Sequence, residues 1–115
     1  MKEKTPEAIL DETIQSLQSG WIQGFLAKDE QGDATTPVHS SATQWCLVGA
    51  LCKSAGLQDA RSWAYPKSKS MDKVIRWIGD ITGEPCLTAW NDTEGRTQEE
   101  VIGVLETVRH SRIEK

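Results

Sequence analysis

The sequence of 115 residues predicts an all-α fold, with four main helices at about residues 6–19, 42–55, 70–82 and 98–112. Apolar residues recur at helical spacing, capping residues precede three of these segments, and no alternating strand pattern competes with them. A chain of this length can bury one hydrophobic core but not two. We therefore expect a single helical domain over residues 1–115, with an ordered core at about 5–112.

The first and last helices have the clearest boundaries. Thr5 followed by Pro6 is typical of a helix start, because proline lacks the N–H that the first turn leaves unbonded. The last helix begins at a capping box, in which Thr97 is the cap and Glu100 reaches back to it. The predicted inner face of the first helix is formed by Leu10, Ile14, Leu17 and Trp21.

The second helix is predicted over 42–55 from an almost continuous apolar run, with Ser40 or Ser41 as its cap and Gly56 at its end. A helix that is apolar nearly all round is a buried one. Within it, Gly49 lies in a stripe of small residues. Because glycine lowers helix stability by about 1 kcal/mol relative to alanine, this position predicts close approach by a neighbouring backbone.

Two connections are polar and irregular. Lys28–Ser41 is rich in Asp, Gly, Thr, Pro and Ser, and it predicts a loop long enough to be functional. Leu57–Lys69 is the second, and a short helical turn bearing Trp63 is expected within it. The third helix, 70–82, follows and ends at Gly83. Its inner stripe comprises Met71, Val74, Ile75 and Ile78.

Composition argues against several classes of protein. The net charge of −4 makes nucleic acid an improbable partner, because phosphate binding needs a clustered basic surface. No apolar run approaches the roughly 20 residues of a membrane helix, and no signal-peptide region is visible, so we expect a cytoplasmic protein without membrane contact. Three cysteines cannot all pair with one another, which predicts reduced thiols. Metal-ligand spacing is missing as well, so we expect neither a metal nor a cofactor.

Three short motifs lie in order along the chain: G-W-x-Q-G at 20–24, W-C-x-x-G-A at 45–50 and W-N-D-x-x-x-R-T-x-x-E-V at 90–101. In this order and spacing they resemble an uncharacterised family of small bacterial and phage proteins, a domain of unknown function. The resemblance covers about residues 8–108. It implies a compact helical domain and supplies no activity.

Cys46, with His39 and either Asn91 or Asp92, is the one arrangement that suggests nucleophilic catalysis. A nearby imidazole and a helix N-terminus would favour the thiolate that such chemistry needs. The apolar neighbours of Cys46 favour the alternative, an ordinary buried thiol in the core. We therefore assign no catalytic residue and keep these four as candidates.

Asn91 and Asp92, close to Arg96, support two interpretations. They could form a polar pocket in which the guanidinium binds an anion. Alternatively they close a structural turn, with Arg96 paired to Asp92 and Trp90 anchoring the turn in the core. We favour the turn, because the motif borders a helix start.

Candidate binding residues lie mainly in and after the second irregular connection. Trp63 and Tyr65 are the aromatic residues expected at a contact surface, and Lys73 and Arg76 add local positive charge. Arg96 is the remaining candidate. Trp21, Trp45 and Trp90 are expected to anchor the core, and Trp77 is expected on the flank of the inner stripe of the third helix.

Two hypotheses for the function follow. The first is a non-catalytic protein-binding or regulatory module, encoded by a phage or mobile element. Its partner would be another protein, contacted through Lys28–Ser41 and the region from Trp63 to Arg76. The alternative is a small enzyme or ligand-binding protein with a polar site of Cys46, Asn91, Asp92 and Arg96. The sequence leaves the oligomeric state open.

Overall fold

The computed structural model describes residues 4–57 and 68–113. Its described elements are α1 (Pro6–Ser19), β1 (Ala27–Asp29), β2 (Ala42–Trp45), α2 (Leu47–Ala55), α3 (Lys69–Thr82), α4 (Leu87–Asn91) and α5 (Gln98–Arg112). The two strands pair antiparallel, with Ala27 opposite Trp45. The chain is mostly helical, and this small sheet corrects the expectation of a purely all-α fold.

Capping residues set the helix starts where the sequence predicts them. The Thr5 side chain accepts a hydrogen bond from the backbone N–H of Ala8 at 3.1 Å. At α5, the Thr97 hydroxyl accepts from the Glu100 N–H, and the Glu100 carboxylate accepts from the Thr97 N–H. Both halves of the predicted capping box are therefore present. α3 begins one residue earlier than expected, at Lys69.

The start of α2 is the main correction. Residues 42–45 belong to β2, and the helix begins at Leu47, so neither Ser40 nor Ser41 caps it. The cap is Cys46, whose thiol accepts a hydrogen bond from the Gly49 N–H at 3.2 Å. The reason is backbone pairing: Trp45 donates its N–H to the carbonyl of Gly20, which holds this stretch extended.

The predicted loop Lys28–Ser41 has more structure than expected. Its first residues lie in β1, and the Asp29 carboxylate accepts hydrogen bonds from the N–H groups of Gln31 and Asp33. The chain then turns back, and Thr35 donates its N–H to the carbonyl of Ala27. The loop is therefore a folded extension of the small sheet.

The core lies between α1, α2, α3 and α5. The prediction from Gly49 is confirmed: a Cβ atom there would overlap the carbonyl oxygen of Leu26. Trp45 and Trp90 are buried, as expected, and Trp21 is half-buried against the core. The largest fully buried side chains include Ile9, Leu10, Leu17, Leu47, Leu51, Met71, Ile78 and Leu105.

Across the two described ranges, 4–57 and 68–113, no helix has the length and apolar character needed to cross a membrane.

Candidate functional site

Residues from the three sequence motifs meet at Asn91, the last residue of α4. This five-residue helix was not predicted, because it is too short to show a periodic pattern. Its Trp90 side chain is buried, and the Asn91 side chain is completely inaccessible to solvent. A buried amide must find hydrogen-bond partners inside the protein, so its surroundings decide its role.

The Asn91 amide uses all of its hydrogen-bonding capacity. Its Oδ1 accepts from the indole Nε1–H of Trp21 at 2.7 Å and from the backbone N–H of Leu47 at 3.1 Å. Its Nδ2 donates to the carbonyl of Ile22 at 3.2 Å and to Oδ1 of Asp92 at 2.9 Å. One side chain therefore fixes the 21–22 segment, the start of α2 and the end of α4 together.

A second set of hydrogen bonds holds the segment that follows Trp21. The Gln23 amide donates to the carbonyls of Asn91 and Thr93, at 2.9 and 3.0 Å. The Gly24 N–H donates to Oδ1 of Asp92 at 3.1 Å. Gly24 has a φ of 85°, a left-handed conformation that favours glycine. The chain immediately before Phe25 is thus fastened to the end of α4.

A small cavity of about 130 Å³ opens beside this clamp. The thiol of Cys46 and the carboxylate of Asp92 both belong to residues that line it, with Phe25 and Thr88. Burial raises the pKa of the Cys46 thiol, and the charge of Asp92 raises it further, although backbone N–H groups oppose the shift. A raised pKa disfavours the thiolate, which is the opposite of the activation that a nucleophilic cysteine needs.

The other two residues considered with Cys46 point to different partners. The His39 side chain is exposed, and its Nδ1 accepts from the backbone N–H of Ser41 at 3.0 Å. Arg96 does not pair with Asp92 as the turn interpretation expected. Its Nη1 lies 3.2 Å from Oε2 of Glu100.

Arg96 also covers the buried tryptophan of α4. Its Nε donates to the carbonyl of Trp90 at 3.0 Å, and its guanidinium lies 4.1 Å from the centroid of the Trp90 ring. The structure thus brings Cys46 and Asp92 to one cavity, while the side chains of Asn91 and Arg96 are used in the surrounding framework. The turn interpretation identified the correct segment but missed its long-range partners.

The predicted binding residues in the described part of the chain lie in two places, Lys73 and Arg76 on α3 and Arg96 just before α5. Trp63 and Tyr65 lie outside the described residues. Lys73 and Arg76 are exposed on α3, and Arg76 borders a groove near the C-terminal end of that helix. In the described part of the chain, no hydrogen bond or ion pair links Lys73 or Arg76 to the Asn91 site.

Phe25 is the residue that sequence reasoning missed. Its side chain is 46% exposed, and the ammonium of Lys28 lies 4.3 Å from its ring centroid. The run from Trp21 to Ala27 is mostly apolar, and such a run gives no sign that one of its side chains is exposed. Within this run, the polar residue Gln23 followed by Gly24 was the sequence signal that the backbone turns there.

In residues 4–57 and 68–113, no group of three His, Cys, Asp or Glu side chains is placed to hold a metal ion. Comparison with family models matches residues 1–111 to a family of unknown function, DUF6197. The chain belongs to this family. Comparisons with curated proteins and with solved structures found no significant match.

Proposed function

We propose that this member of the family is a non-catalytic protein-binding module, and that Phe25 is its main contact residue. The observation that carries the proposal is an exposed aromatic side chain on a backbone fastened by side-chain hydrogen bonds. Single exposed apolar residues are common and need no function. Here, however, the preceding residues Gln23 and Gly24 are held by α4 and the loop after it. A rigid aromatic residue loses little conformational entropy when it binds, which suits an interface anchor.

The cavity beside Phe25 indicates the chemistry of the partner. At about 130 Å³ it is smaller than the roughly 300 Å³ at which small-molecule sites begin. It can take one side chain of a partner protein. Phe25 and Leu26 supply apolar wall, and Asp92 lies at the polar side. Within the described residues Oδ2 of Asp92 has no hydrogen-bond partner, since Oδ1 takes both donors.

A lysine or arginine of the partner fits this combination best. Its aliphatic stem would lie on Phe25 while its charged end meets the Asp92 carboxylate, as long basic side chains do at apolar surfaces. The net charge of −4 favours approach of a basic segment as well. The partner that we propose is therefore a protein with an exposed basic segment.

The first experiment identifies the partner by photo-crosslinking from chosen positions of the chain. A photo-crosslinking amino acid is placed at residue 25 and, as a control, at the exposed position Thr107 of α5. We expect one protein to be crosslinked from position 25 and not from position 107 in the cells that express this chain. Crosslinking from both positions alike, or from neither, would contradict the proposal.

The second experiment measures the affinity of the purified partner. Phe25→Ala should weaken binding by at least about tenfold, because truncating an anchor residue costs about 2 kcal/mol. Asp92→Asn should weaken binding and reduce its dependence on salt. Glu106→Gln removes an equal charge from an exposed position on α5 and should leave binding unchanged. Equal effects of Asp92→Asn and Glu106→Gln would refute a specific role for Asp92.

A further inference from the structure

Another concave surface lies between α1 and the C-terminal half of α2, and its described lining residues differ from those of the cavity beside Phe25. This groove has a volume of about 400 Å³, within the range of small-molecule sites. Polar side chains dominate its lining. Those used below are Lys4, Glu12, Ser16, Lys53 and Ser54.

Ser16 is a buried residue that faces this groove with an unused polar group. It is only 7% exposed, yet it lines the groove. Its hydroxyl makes no hydrogen bond to any residue in 4–57 or 68–113, although the nearby Ser19 hydroxyl bonds to backbone carbonyls. The hydroxyl itself is open to the groove, so the polar group of a ligand can reach it.

Lys53 supplies positive charge on the opposite wall. Its ammonium lies 5.2 Å from the centroid of the Trp45 ring, and it forms no ion pair within the described part of the chain. Since an ammonium is a donor with no acceptor, the group that it prefers carries negative charge. Trp45 is 6% exposed, so its ring forms the floor of the groove and is too buried for a ligand to stack on it.

Among the described residues that line the groove, Glu12 is the only acidic one, and Lys4 forms an ion pair with it. Its Oε1 accepts from the Lys4 ammonium at 2.8 Å and from the Ser54 hydroxyl at 2.7 Å. Lys4 also donates to the carbonyl of Ser54, which satisfies an acceptor near the end of α2. Lys53 also acts on Glu12 through its charge and helps to lower the pKa of that carboxyl. With Lys4 and Lys53 against the single carboxylate of Glu12, the described lining keeps a net positive charge.

We infer that this groove binds a small molecule through a phosphate or carboxylate group held by Lys53 and Ser16. Both residues offer hydrogen-bond donors to the anion, and the remaining volume accommodates the rest of a metabolite. The inference is independent of the proposed partner of Phe25, because the two sites share no lining residue.

The test is an NMR titration of the ¹⁵N-labelled chain at constant ionic strength. One arm uses inorganic phosphate as the probe and the other uses acetate. We expect saturable shifts of the backbone amides of Ser16, Lys53 and Ser54 with at least one probe. The arm that saturates assigns the group as phosphate or carboxylate.

Three variants separate a site from general attraction of anions to lysine. Lys53→Gln should weaken binding about tenfold, because it removes a charged hydrogen bond. Ser16→Ala should weaken it about fivefold without removing charge. Lys69→Gln makes the same charge change at the start of α3 and should have no effect.

Three results would overturn the inference. The first is the absence of saturable shifts with either probe. The second is shifts that spread over all lysine-containing surfaces. The third is equal weakening by Lys53→Gln and Lys69→Gln. Folding of each variant is verified from its amide spectrum without added anion.

Discussion

Replacing Asn91 by alanine should remove a large part of the stability of the fold. The change leaves the Leu47 N–H unpaired in a buried position, and it leaves the Trp21 indole N–H and the Ile22 carbonyl unpaired in half-buried ones. A stranded buried donor or acceptor costs about 1–3 kcal/mol. We therefore expect Asn91→Ala to lower the free energy of unfolding by about 4 kcal/mol, out of a total of about 5–15 kcal/mol for a domain.

Urea unfolding at pH 7, followed by both tryptophan fluorescence and circular dichroism, measures this loss. Thr13→Val is the matched control, because the Thr13 hydroxyl is fully buried but has no hydrogen-bond partner among the described residues. Its removal should be neutral or stabilise the fold by about 1 kcal/mol. A loss below about 1.5 kcal/mol for Asn91→Ala, or equal losses for the two variants, would refute the role assigned to the Asn91 amide.

Three further predictions concern other parts of the structure. Gly49→Ala should destabilise the fold by about 2–3 kcal/mol in the same urea assay, because the Cβ of the alanine would overlap the Leu26 carbonyl oxygen. Helix propensity alone would make alanine the more stable residue, so an increase in the free energy of unfolding would contradict this prediction. At neutral pH a thiol reagent should label the exposed Cys86 quickly and Cys46 only upon unfolding, and rapid labelling of Cys46 in the folded chain would contradict its burial. Glu12→Gln should cost at most about 1 kcal/mol at pH 7, because its ion pair is partly exposed. Hydrogen bonds lower the folded pKa of Glu12 below 4.5, so this difference should be present above that pH and vanish as the pH falls through the folded pKa; a difference that persists at low pH would exclude this origin.

Local signals in the sequence account for the helix ends that were predicted correctly. Thr5 with Pro6, and Thr97 with Glu100, act on the backbone within four residues, so their pattern can be read directly. Gly49 was also informative, because glycine inside an apolar helix has few explanations other than close packing.

The errors arise where tertiary pairing overrides a local pattern. Apolar residues continue from Trp45 into α2 without a break, which led us to extend the helix back to 42. The backbone of Trp45 instead pairs with Gly20. The local sequence around Trp45 cannot predict this contact, because Gly20 is distant along the chain. Cysteine is also an unusual helix cap, so Cys46 gave no sign of its position.

The candidate site could be predicted only in part, because its contacts are long-range. Asn91 and Asp92 were expected to bond within their own turn, as these residue types commonly do. Their partners are Trp21, Gly24 and Leu47, in segments whose proximity depends on the complete fold. Exposure of Phe25 follows from the same arrangement and was therefore missed as well.

The hydrogen bonds of Asn91 also bear on the order in which the chain folds during synthesis. They reach back 70 residues to Trp21 and 44 residues to Leu47. These two earlier segments therefore cannot form their hydrogen bonds until Asn91 has been synthesised. Without Asn91, the Leu47 N–H at the start of α2 lacks its hydrogen bond, and so do Trp21 and Ile22 in the segment after α1. Contacts so distant in sequence slow folding, because the intervening chain must be ordered first. A chain that ends before α4 lacks these hydrogen bonds, so we expect it to expose apolar surface of α1 and α2 that the complete fold buries.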